Sequence, residues 1–187
     1  MSHDESRAAA MAAARDLLKS EGAAAVTLQS VAARVGRTHA NLLHHFGSAA
    51  GLQKALAADI AQIVATSIEG AIEQRRLGQA TERDVVDAMF EAFRREGAGE
   101  LIGWIALTRQ REALEPVIAT IERIIRTMRA FGDQRPVDAM TLGLTLLAIG
   151  DSLAGAEIAR ACGLDREAVR KVAVTQIEGL AGAPLRD

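Results

Sequence analysis

The sequence predicts an all-α protein of nine helices, a three-helix head followed by a larger helical domain, and three observations carry that reading. Apolar residues recur at steps of three and four along almost the whole chain, the spacing that lines one face of an α-helix. No segment keeps up the strict alternation of a half-buried strand. Glycines, prolines and short hydroxyl residues punctuate the periodic segments at the places where helices stop and start. With 187 residues and 49% hydrophobic content the chain can bury a sizeable core, which excludes general disorder.

Met1–Ser6 is polar and reads as a frayed end. The first helix, Arg7–Glu21, places Ala10, Ala14, Leu17 and Leu18 on a common face and stops at Gly22. Thr27 caps the second, whose inner face is Leu28, Val31, Ala32 and Val35. Gly36 ends it, since glycine takes the left-handed conformation without a Cβ clash, and Thr38 caps a third helix from about His39. Leu42 and Phe46, four apart, face the core and leave His39, Ala40, Asn41, Leu43, His44 and His45 wholly or partly outside. Two short helices meeting at a glycine, the second rich in outward polar groups, make a helix-turn-helix with its recognition helix.

Ser48 caps a fourth helix, with Leu52, Leu56, Ile60, Ile63, Val64, Ile68 and Ile72 at steps of three and four and about 25 residues before Gly78. It is a rod joining head and remainder. Amphipathic helices follow over Thr81–Glu96, over Glu100–Arg111 after the Gly97–Gly99 break, and from Pro116 through Phe131, where proline suits a first turn. Gly132–Arg135 is a loop. Pro136 opens a helix to Ala161 whose leucines spread round most of its circumference, with Gly143, Gly150 and Gly155 small enough for close helix approach. One buried face does not account for that pattern, so this helix and the last, Arg166–Leu180, are expected to form a four-helix interface with a second copy.

Net charge is −2, split as +1 over residues 1–50 and −3 over the rest. All four histidines (His3, His39, His44 and His45) lie in the first fifty residues, where protonation near phosphates would add positive charge. Asn41 can pair with adenine through two hydrogen bonds, and His39 and His44 can donate to guanine or phosphate. Thr27, Thr38 and Ser48 are caps first, and the backbone N–H groups at those helix starts can also meet phosphates.

Other chemistries are poorly represented. His39, His44 and His45 lack the three- or four-residue spacing that puts ligands on one helical face, so no metal site is expected, and no cofactor. No nucleophile and base pair, carboxylate dyad or phosphate loop stands out, so the chain is not read as an enzyme. The single Cys162 excludes an intramolecular disulfide and reads as a small structural residue. The longest apolar run, Ala139–Gly150, is shorter than a membrane span, and the expected location is the cytoplasm.

Helix order and motif together resemble the TetR family of bacterial one-component regulators. The match covers roughly Arg7–Leu52 and rests on the Ala-rich first helix, Gly22, Thr27, the Val31-Ala32 pair, Gly36, Thr38, Leu42, Phe46, Ser48 and Leu52. It implies a DNA-binding domain over residues 1–47 and an effector-binding and dimerisation domain over 48–187. It further implies a homodimeric repressor on a palindromic operator in double-stranded DNA, released by a small apolar or aromatic effector. Thr27, Arg37, Thr38, His39, Ala40, Asn41, Leu43, His44, His45 and Ser48 are the expected DNA contacts. Met89, Phe90, Phe93, Trp104, Thr108, Arg109, Met128, Phe131, Met140 and Leu144 are the expected effector contacts.

Three positions depart from the family pattern: Leu43 replaces a phosphate-binding Tyr, Ala49 a Lys at the start of the fourth helix, and Arg37 a small apolar residue. Lost cationic contacts weaken binding to every DNA sequence. A second reading therefore stays open, a helical dimer that binds ligands or proteins with little affinity for DNA.

Overall fold

Three helix starts use the hydroxyl caps that their sequences offer. Thr27 Oγ1 accepts from Ser30 N (3.0 Å), Thr38 Oγ1 from Asn41 N (3.2 Å) and Ser48 Oγ from Gly51 N (2.9 Å). Each cap is worth about 1 kcal/mol. Burial weighs more: Leu42 and Phe46 are 1% and 9% exposed, and each contributes about 1.5–3 kcal/mol. The caps therefore set where the short helices begin, and the two buried side chains set which face turns outward.

The computed structural model describes residues 3–181. Among these residues there are nine α-helices and no strand: α1 His3–Glu21, α2 Leu28–Arg34, α3 His39–Phe46, α4 Ala49–Arg76, α5 Glu82–Glu96, α6 Ala98–Leu107, α7 Glu115–Ala130, α8 Val137–Ala161 and α9 Ala168–Ala181. Two 3-10 turns that the sequence reading does not include lie at Ala23–Ala25 and Arg111–Leu114. Of the stretch expected to fray, Met1 and Ser2 fall outside the described residues, whereas His3–Ser6 are already helical. Asp4 and Glu5 there suit the positive end of the α1 dipole.

Helices α1 to α3 form the head, and α4 runs out of it. Leu52 and Leu56 of α4 are fully buried in the same hydrophobic cluster as Leu17, Val31 and Leu42. Farther along α4, Ile60, Val64 and Ile68 continue the stripe towards α5 and α7. The head is also fastened to the α5–α6 junction. Glu100 accepts from Ala23 N (2.8 Å), Lys19 Nζ donates to Glu96 (2.8 Å), and Gly97, at φ +70°, lies so close to Leu18 that a Cβ would meet its Cγ at 3.0 Å.

Helix α6 is shorter than the Glu100–Arg111 expectation. It starts at Ala98 and stops at Leu107, and Arg109 beyond it has φ 59°, a left-handed position usually held by glycine. Helix α8 buries one stripe, Val137, Met140, Leu144, Ala148 and Asp151, and exposes another of Leu142, Leu146, Leu153 and Ile158, each more than half exposed. The glycines of α8 serve it unequally. Gly143 admits Gln176 of α9, but Gly150 opens onto the exposed face, and on the α6 side it is Gly99 that lets Ser152 of α8 come close. Asp151 is held by Arg166 through paired bonds of 3.0 Å, which ties the α8–α9 turn down.

Arg109→Gly is expected to stabilise the fold by about 0.5–1 kcal/mol, because the left-handed conformation costs an L side chain about 1–2 kcal/mol and glycine gives part of that back in chain entropy. A thermal melt that shows no rise for this variant would refute the assignment.

Candidate functional site

The outer face of α3 is built by subtraction. Leu42 and Phe46 point inward, Arg7 stacks over the Phe46 ring at 5.5 Å, and the rest of the helix is left for a partner. Thr27, Arg37, Thr38, His39, Ala40, Leu43, His44 and Ser48 are exposed, while Asn41 and His45 are half-buried. Their placement forms one surface from the start of α2 to the start of α4. Asn41 differs from a ready base reader: its Oδ1 is shielded and accepts no hydrogen bond from the protein, so a two-bond contact with adenine requires the amide to rotate. Leu43, 42% exposed, adds an apolar patch to the same face.

Behind the head lies a partly open cavity of about 100 Å³ lined by α4, α5, α6, α7 and α8, with Ile177 of α9. On α4 its wall begins at Ala57 and passes through Ile60, Val64 and Ile68 to Arg75. Five of the ten residues expected to meet an effector line it: Met89, Phe93, Met128, Met140 and Leu144. The other five do not. Phe90, 1% exposed, is core beneath Arg170, whose guanidinium sits 5.8 Å from its ring. Trp104 packs partly buried on α6 with its indole N–H unpartnered, Thr108 returns its hydroxyl to Trp104 O, and Arg109 occupies the left-handed turn. Phe131 is exposed and lies under Arg76 at the rim of a second, outer cleft between α4 and α7 of about 390 Å³. That cleft shares Ile72, Ile124 and Met128 with the inner cavity, so the same three side chains form the partition between them.

One end of the cavity is charged, which the sequence reading misses. Arg75, Glu82 and Arg135 are part of its wall. Glu82 Oε1 accepts from Arg75 Nε (2.7 Å) and from Arg135 Nη1 (3.3 Å), while Asp133, outside the wall, accepts from Arg135 Nε (2.8 Å) and backbone N (3.1 Å). Burial pushes the Glu82 carboxyl up, but the hydrogen bond and charge of Arg75, together with the Arg135 charge, outweigh it and hold the group below its ordinary value. The hydrogen bond from Arg135 likewise holds Asp133 low. In sequence these residues read as solvated helix ends, because Arg75 closes α4, Glu82 opens α5, and Asp133 and Arg135 precede α8. Only the packing of three termini together reveals the cluster.

Head, rod and cavity define a class: an all-α helix-turn-helix protein with an internal apolar cavity beyond its head. Residues 10–56 match the family model described as Bacterial regulatory proteins, tetR family. Solved structures match along the full length at low identity. They include a protein described as a TetR-family transcriptional regulator from Rhodococcus sp. (17% identity, TM-score 0.64, 95% of this chain and 99% of that one). They also include the multidrug binding protein EbrR complexed with imidazole (16%, 0.68, 97% and 96%) and a protein of unknown function from Rhodococcus sp. RHA1 (22%, 0.63, 94% and 95%). No curated protein matches the sequence. Residues 10–56 thus carry a head similar to that of the tetR family, and the chain as a whole shares the fold of these solved structures.

The charged end predicts an acid response. A carboxylate with a lowered folded value stabilises the fold above its unfolded value, and that contribution is lost as pH falls through the folded one. Arg135→Gln is expected to lower stability by about 1–2 kcal/mol at pH 7. The gap to the parent should close as pH drops below the ordinary carboxylate range, and melts from pH 7 to pH 3 would show whether it does.

Proposed function

We propose that the chain is a homodimeric, ligand-responsive transcriptional regulator of the cytoplasm, a repressor that leaves a palindromic operator when a largely apolar effector enters the α4–α8 cavity. Residues 1–47 act as the DNA-binding domain and residues 48–187 as the effector-binding and dimerisation domain. The observation that carries this reading is the use of one helix for two purposes: α4 is buried in the head at Leu52 and Leu56 and forms the cavity wall from Ala57 onward. A ligand that shifts α4 therefore shifts the head.

Two α3 helices must meet successive major grooves roughly 34 Å apart, and conformers that differ by a few kcal/mol are enough to lose that spacing. The outer face of α3 supplies the contacts, with backbone N–H groups at the capped helix starts available to phosphates. The EbrR neighbour, solved with imidazole, supports reading the cavity as a place for a ligand.

The second copy is placed on the exposed stripe of α8. Helices α4 and α8 are long and apolar enough to cross a membrane by length and composition. In α4 that character serves the core and the cavity. In α8 the exposed Leu142, Leu146, Leu153 and Ile158 stand beside Val172 of α9, 58% exposed, and a matching four-helix contact removes them from water. Leu146→Glu is expected to turn a dimer into a monomer in light-scattering measurements at micromolar concentration, with helicity retained; an unchanged mass would move the interface elsewhere.

Fluorescence anisotropy on DNA from upstream of the gene, against scrambled DNA at two salt concentrations, tests the regulator reading. Preferential binding that weakens steeply with salt is expected. If selection from a random DNA pool yields no preferred sequence, the reading fails. Exposed Leu43 and Ala49 on the α3 side favour the competing reading, a ligand-binding dimer with little DNA affinity. Under that reading, specific binding emerges only in Leu43→Tyr with Ala49→Lys.

A further inference from the structure

The shape and wiring of the cavity narrow its ligand. The wall on α4 extends from Ala57 to Arg75, about 27 Å at 1.5 Å per residue, yet the empty space along it is about 100 Å³. A lumen that long and that small in volume is a slot. That space is smaller than either a compact drug-like molecule or a decyl chain, so a ligand enters only by parting the wall, and a long narrow wall parts with less displacement around a slim chain than around a compact body. Three of the protein's five methionines, Met89, Met128 and Met140, line the slot, and their unbranched flexible side chains let it widen around a chain.

Charged recognition is confined to one end. Of the three threonines in the wall, Thr120 and Thr141 donate their hydroxyls to Pro116 O (2.8 Å) and Val137 O (2.6 Å), one turn back on their own helices, which leaves the Thr145 hydroxyl as the neutral polar group beside the apolar lining. At the Arg75 end the charged groups facing the slot are two guanidiniums and one carboxylate. Asp133 grips Arg135 from outside the wall and fixes its orientation. A single oxygen, Glu82 Oε1, bridges both arginines. Glu82 thus occupies the position that a ligand carboxylate would take.

We propose that the effector is an unbranched-chain carboxylate, its alkyl chain in the slot and its head on Arg75 and Arg135 in place of the Glu82 carboxylate. This rests on the effector reading above and deepens it. Guanidinium forks hold a two-oxygen anion better than a neutral or cationic head, and Glu82 is an internal competitor for them. Affinity therefore rises with chain length, by about fourfold per methylene, until the slot is filled.

The test is calorimetric titration of the whole protein, without DNA, using hexanoate, octanoate and decanoate below micelle formation, with decanol and decyltrimethylammonium as controls. Saturable binding of decanoate, at least tenfold tighter than either control, is expected. Glu82→Gln removes the competitor and should tighten decanoate severalfold while leaving decanol unchanged. Arg75→Met should weaken decanoate about tenfold and spare decanol; circular dichroism confirms that both variants are folded. Equal binding of decanol or the ammonium, no saturable binding of decanoate, or Glu82→Gln acting alike on all heads would each overturn the proposal. Anisotropy on operator DNA keeps the two readings apart. Decanoate that binds without releasing DNA leaves this site standing and removes the regulatory role, whereas release by another compound with no decanoate binding does the reverse.

Discussion

The continuity of α4 is the constraint on which the rest of the molecule depends. Its 28 residues span about 42 Å without a proline, and a straight helix transmits displacement along its length instead of absorbing it. A single apolar stripe serves two environments. At Leu52 and Leu56 it closes the head, where every neighbour is fixed, and from Ile60 onward it faces a slot that a ligand can fill. The head has a second anchor at the α5–α6 junction through the Lys19–Glu96 pair, Gly97 and Glu100, and α6 also lines the slot at Ala98, Leu101 and Ile102. Two anchors on two walls of one cavity fix the head's attitude by the gap between those walls. Under the proposed function, the effector acts on that gap.

Under the proposed dimer, helix α8 meets the opposite demand, since its inner face answers to the core and its outer face to a second copy. The inner stripe ends on Asp151, a buried carboxylate whose partner Arg166 comes from the turn before α9. An unpaired buried charge costs several kcal/mol, so this pair holds α9 at a set distance from α8. The outer stripes of the two helices are thereby kept side by side. A flat apolar face of two helices is what a two-fold contact requires, and it persists only if the intramolecular packing behind it is rigid.

Much of this architecture is legible in the sequence because it follows from short-range rules. Thr27, Thr38 and Ser48 are caps by residue type alone, Gly36 and Gly47 take positive φ where helices end, and Leu42 with Phe46 determines the inner face of α3 by spacing. Periodicity also places Met89 and Phe93 on an inner face, but it does not tell a wall from a core, since both are apolar. Phe90 illustrates the difficulty: it neighbours Met89 in sequence and points into solid packing under Arg170. Arg109 was open to reading as a polar contact because a left-handed arginine looks like any other in sequence. The Arg75–Glu82–Arg135–Asp133 cluster joins residues from 75 to 135, and no local pattern encodes a meeting of that range.

The cavity itself is informative on energetic grounds. A partly open apolar pocket of about 100 Å³ forgoes dispersion contacts that a filled core would make. Small changes would remove it: Ala57, Ala61 and Ala65 are spaced by four along its α4 wall, and a larger aliphatic at any of them would project into the space. Alanine at three successive turns, beside isoleucine and valine on the same helix, keeps the slot open where ordinary packing would close it. Under the proposed function, an occupant accounts for a void maintained in this way. A ligand chain recovers the missing contacts and the transfer energy together, so stability lost in the empty protein returns as affinity. The same accounting links the slot to the head, because the walls that a chain would draw together or push apart are α4 and α6, the two helices that hold the head in place.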